Sequence, residues 1–76
     1  MNAERRKRIE ALRQKIGEAL SDAESIRDEE QEYLDNMPES LQQGEKGEKA
    51  QAACEALDSL VDHLTEADSD LDTAGE

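Results

Sequence analysis

Apolar side chains recur along this chain every seven residues, in two interleaved series, over residues 9–33 and again over residues 50–71. In the first segment Ile9, Ile16 and Ala23 form one series, position a of a heptad, and Leu12, Ala19, Ile26 and Tyr33 form the other, position d. Glu30 alone breaks the pattern, at a. In the second segment Ala50, Leu57, Leu64 and Leu71 stand at a, and Ala53, Leu60 and Ala67 at d. Such a repeat places apolar groups along one stripe of a helix. It predicts a first helix over about residues 3–35 and a second over about 47–70. Residues 36–46 connect them: Asn36 can end the first helix and Pro38 cannot continue it. Asn36 and Glu39 have the spacing of a capping box, which would open one short turn at Pro38–Leu41. The tail 71–76 should fray, because acidic residues suit a helix C-terminus poorly.

The two stripes fit one another. Folded as an antiparallel hairpin, one register pairs Leu12 with Leu71, Ile16 with Ala67, Ala19 with Leu64, Ala23 with Leu60, Ile26 with Leu57, Glu30 with Ala53 and Tyr33 with Ala50. Every a meets a d, and large residues face small ones in most layers, which keeps layer volume even. The expected fold is therefore all-α, a coiled-coil-like helical hairpin forming one domain over residues 1–76. The same register sets the flanks. Arg13 falls near Asp68, Leu20 near Val61 and Arg27 near Cys54 on the e side, and Lys15 near Asp70 and Asp22 near His63 on the g side. Leu20, Leu34, Cys54 and Val61 are too apolar for free exposure. They are the expected interface of a homo-oligomer, most simply a dimer forming a four-helix bundle.

Composition strengthens the case for self-association. Leu, Ile, Val and Phe together make up only 12 of 76 residues, and the net charge is −12. Those values border on disorder, and so small a core needs help from a partner surface. One Cys excludes an internal disulfide, and no zinc-ligand pattern or cofactor motif accompanies it. No apolar run approaches the length of a membrane span, and the basic start lacks the apolar stretch of a secretory signal. A cytoplasmic protein is expected.

No stretch carries a recognisable reaction, so the candidates are binding residues. Arg5, Arg6 and Arg8, with Lys7, form a basic run that could hold an anion or could offset the acidic end of the second helix. Lys46 and Lys49 lie in "GEKGEK", whose glycines lead into a helix N-terminus, as in some phosphate sites, but the segment matches no phosphate-binding fingerprint. Tyr33, beside Glu30, could line a small pocket or only pack. His63 is a flank residue without a catalytic companion. Residues 16–36 carry one base against eight acids, a net −7. That surface could imitate a nucleic-acid phosphate ladder or simply keep the chain soluble. Direct nucleic-acid binding is not expected.

"RDEEQEYLDNMPESLQQGEKGEKAQAACEALDSLVDHL" resembles a group of small acidic proteins of phages and prophages. In these, two acidic helices flank a turn of aromatic-Asp-Asn-Met/Leu-Pro-Glu-Ser/Gly-Leu-Gln. Tyr33, Asp35, Asn36, Met37, Pro38, Glu39, Ser40, Leu41 and Gln42 carry the resemblance. It implies a viral origin and, by analogy, action on a bacterial host. The expectation is a non-enzymatic binding protein that counters a host antiviral defence through contact with a host protein. The alternatives are an oligomer that sequesters a small anionic nucleotide, a nucleic-acid mimic and a virion accessory protein.

Overall fold

The computed structural model describes residues 2–76. It is an all-helical hairpin: α1 spans Ala3–Asp35, α2 Glu39–Gln42 and α3 Glu45–Ala74. The long helices α1 and α3 pack against each other, and the rod they form measures 58 × 14 × 13 Å. Among the described residues no helix is long and apolar enough to cross a membrane.

Local chemistry accounts for most helix ends. Asn2 caps α1, its side-chain oxygen accepting from the Arg5 backbone N–H at 2.8 Å. At the other end Asn36 keeps a right-handed helical conformation, and its N–H still reaches the Glu32 carbonyl. Pro38, not Asn36, is the N-cap of α2, and no side chain caps it. The capping box expected from Asn36 and Glu39 is therefore absent; the α2 backbone closes on Pro38 instead, through the N–H groups of Leu41 and Gln42. The acidic tail does not fray at residue 71, since α3 continues to Ala74 and the Gly75 N–H donates to the Leu71 carbonyl.

Charge explains why that tail holds. The basic residues of α1 cluster at its N-terminus and the acids of α3 at its C-terminus, each against its own helix dipole. The hairpin sets these two ends side by side. Arg13 Nε lies 3.0 Å from Asp68 and its Nη1 3.0 Å from Asp72. The Asp68 hydrogen bond and the charges of both carboxylates push the Arg13 guanidinium above its ordinary pKa. The Arg13–Asp68 pair is the e-side neighbour relation that the heptad register requires.

The seam itself is rotated from the expected one. On α1 the side chains turned inward are Ile9, Ile16, Ala23 and Glu30 at a, with Arg13, Leu20, Arg27 and Leu34 at e. The d residues face out: Leu12, Ile26 and Tyr33 are 47%, 52% and 53% exposed, and Ala19 is exposed as well. On α3, Ala50 and Cys54 are buried and Val61 is half-buried, whereas Leu60 at d is exposed. The physical reason lies in the breadth of the apolar face. Positions d, a and e together cover about 100° of helix surface, and one neighbouring helix covers only part of that arc. The pair settles on a and e, which also lets Arg13 and Arg27 reach acids on α3.

The connection reinforces this choice. Met37 and Gly47 are buried, and the Gln42 side-chain amide donates to the carbonyls of Leu34 and Met37 at 3.0 and 3.1 Å. α2 lies so close to α3 that a methyl group at Gly47 would collide with the Gln42 backbone. Here glycine is required by close approach and not by an unusual backbone angle.

Candidate interaction surface

The rotated seam changes the surface inventory. Leu20, Leu34, Cys54 and Val61 were expected outside the hairpin, as its oligomer interface. They instead belong to the intrachain seam, half-buried in the first, second and fourth cases and buried in the third. The unpartnered stripe is d: Leu12, Ala19, Ile26 and Tyr33 on α1, with Leu60 beside them on α3. Tyr33 is 53% exposed although Ala50 is buried, so any layer the two share leaves about half of the phenol in solvent. Covering the remaining half of each large side chain is worth roughly 1 kcal/mol.

The buried interior is small. Its apolar members are Ala23, Met37, Ala50 and Cys54, and none of the described large side chains is fully buried. Burial pushes the Cys54 thiol pKa up from 9.0, and the carboxylates of Glu30, Asp58, Asp35 and Glu55 push in the same direction. A thiol so held is a weak nucleophile, since the thiolate is the reactive form. Glu30 is half-buried near Cys54 and needs no partner in a pocket, as it retains access to water.

The ligand candidates do not converge within one chain. Arg5, Arg6 and Arg8 stand at the open end of the rod; Tyr33, Lys46 and Lys49 stand near the turn. Arg5 and Arg8 border an open groove of about 450 Å³ whose floor is Ile9 and Leu12. Arg6 and Lys7 line a second groove with Arg13, Asp72 and Glu76, so acids accompany the bases there. Lys49 is tied to Glu45, 3.3 Å away on the same helix. Glu45 and Glu48 occupy the first turn of α3, where a phosphate would have to sit. The glycines of "GEKGEK" serve the helix start and the contact with α2. Among the described residues no group of three or more His, Cys, Asp or Glu is arranged to hold a metal ion.

The acidic segment is a surface feature. Glu18, Asp22, Glu24, Asp28, Glu29, Glu32 and Asp35 are all exposed, and only Glu30 of the eight acids is half-buried. Arg27, the one base among them, is already engaged by Asp28 at 3.3 Å and Asp58 at 3.6 Å. The signal for the rotated seam was present in the arginines at e. Arg13 and Arg27 alternate with Leu20 and Leu34, and each long stem can lie over an apolar seam while its head pairs at the rim.

No family model, curated protein or solved structure matches this chain.

Proposed function

We propose that this protein is a non-enzymatic binding protein of phage origin that inhibits a bacterial host's antiviral defence by contact with a host protein. The observation that carries the binding reading is the acidic face of α1, with seven exposed acids and its single arginine already occupied. Fixed on a rigid helix, such a face attracts a basic groove and repels acidic competitors. The turn sequence around Tyr33–Gln42 supports the viral origin through its resemblance to small phage proteins. The site of action on this reading is the host cytoplasm.

Two measurements test the proposal. Protein purified from a bacterial lysate should bring down a basic host protein, detected by native mass spectrometry. That complex should weaken steeply between 50 and 500 mM salt, and E24K/D28K/E32K should abolish it. Expression in a defended host should raise the plating efficiency of a restricted phage, and the triple variant should not. A purified protein that carries no host protein, with plating unchanged across a panel of defences, would sink the proposal.

A further inference from the structure

We propose that the exposed d stripe of α1 is covered by a second copy of this chain, lying antiparallel, so that α1 packs on α1 about a two-fold axis near Asp22. This contact shares Asp22 and Glu29 with the acidic surface, while Glu24, Asp28 and Glu32 lie off the d and g positions, so it holds whatever those three acids bind.

Two observations select a second copy. The stripe is a repeat of large and small apolar groups, Leu12, Ala19, Ile26 and Tyr33, in a structure where no large side chain among the described residues is fully buried. Second, the charges along α1 complement their own reverse. Residues 1–15 hold six bases and two acids, net +4, while residues 16–36 hold one base and eight acids, net −7. An antiparallel pairing sets each basic end on the other copy's acidic half, twice, as a two-fold interface requires. A parallel pairing would bring both acidic halves to the same end.

The heptad fixes the layers. With the axis near Asp22, Leu12 faces Tyr33 of the second copy and Ala19 faces Ile26 of the second copy. At the flanking g positions Lys15 falls beside Glu29 of the second copy, twice. The groove bordered by Arg5 and Arg8 over Ile9 and Leu12 receives the second copy's Tyr33, and a guanidinium over a phenol ring is a favourable pair. The ligand candidates that one chain keeps at opposite ends then meet at each end of the dimer. Asp22 meets its own copy at the axis, an unfavourable pair.

Sedimentation equilibrium over a hundredfold range of concentration tests the assembly. The unmodified protein should be dimeric, and I26E should raise the dissociation constant at least a hundredfold. Because Ile26 is already half-exposed in the single hairpin, its helicity should persist, read by circular dichroism at high concentration. Should I26E unfold instead, the charge pair decides: K15E should weaken the dimer about tenfold, and K15E/E29K should restore it. In a Cys54→Ala background, L12C/Y33C should form an oxidised covalent dimer, while L12C alone should not, its two copies lying roughly 30 Å apart. A concentration-independent monomer overturns the proposal. So does a dimer that survives I26E, one not restored by K15E/E29K, or an L12C variant that cross-links to itself. A monomer whose stripe is needed only for capture of a host protein would also overturn it, leaving the binding reading intact.

Discussion

The two ends of this rod are held by different forces. At the turn, Met37, Gly47, Ala50 and Cys54 are buried, and α2 presses on α3 with no room for a methyl group. Toward the open end no described residue beyond Ala23 on α1 or Cys54 on α3 is buried, and the helices are joined at the rim by Arg13 with Asp68 and Asp72. Close packing is short-ranged and insensitive to salt; exposed ion pairs are soft and screened. The turn is therefore the anchor of the hairpin, and the open end is where it first separates.

The largest expected effect follows from the anchor. Gly47→Ala forces the new methyl group against the Gln42 backbone, which cannot swing aside as a side-chain tip would. Overpacking of this kind costs about 1–3 kcal/mol. For so short a chain, each kcal/mol lowers the melting temperature by roughly 4–8 °C. Thermal melts by circular dichroism measure it, and an unchanged midpoint would show that α2 is not fixed on α3.

Alkaline pH should loosen the same end. The Cys54 thiol ionises at higher pH in the fold than in the unfolded chain, chiefly through burial and then through Glu30 and its acidic neighbours. Its contribution to stability is complete below the ordinary value of 9.0 and is lost as pH rises through the raised value. Urea midpoints should fall from pH 8.5 upward, and Cys54→Ala should flatten that fall. Alkylation of the native thiol at pH 8 should be at least tenfold slower than after unfolding.

What the sequence made legible, and what it did not, divides along the same lines. The helical hairpin was readable because two heptad series of matched length can satisfy one another in only a few registers. Arg13 beside Asp68 shows that the register, a one-dimensional property, could be taken from spacing. Rotation about the helix axis could not. Leu12 and Leu20 are both leucines on the same broad face, and nothing in their spacing says which one meets α3 and which meets solvent. That depends on the connection, where Gly47 and Gln42 set the approach of the helices, and on the reach of Arg13 and Arg27. The same ambiguity moved the candidate interface from Leu20, Leu34, Cys54 and Val61 to the d stripe. The separation of Arg5, Arg6 and Arg8 from Lys46 and Lys49 follows directly from an antiparallel rod.

A smaller change, of opposite sign to Gly47→Ala, is expected at the other interior glycine of a long helix. Gly17 has nothing within 4 Å of where a side chain would begin. Gly17→Ala therefore removes backbone freedom from the unfolded chain without a collision and should stabilise by about 0.5–1 kcal/mol. A loss of stability would place a neighbour against Gly17, as a second copy closer than the d stripe allows would do.

The smallest effect belongs to the open end. Arg13 is part-exposed at 35%, and its partners Asp68 and Asp72 are 40% and 61% exposed, so solvent screens both pairs. Solvent-screened pairs contribute little to stability. Arg13→Gln keeps much of the stem that lies over the seam and removes the charge, so its loss should be smaller than that of Gly47→Ala. The diagnostic is salt. The difference between Arg13→Gln and the unmodified protein should shrink as salt rises from 0.05 to 1 M, whereas the Gly47→Ala difference should not. Amide exchange should quicken in α3 from Ala67 onward in Arg13→Gln and stay slow around Ala50. If exchange quickened equally at both ends, the hairpin would open as a single unit, and the turn would be no more an anchor than the ion pairs are.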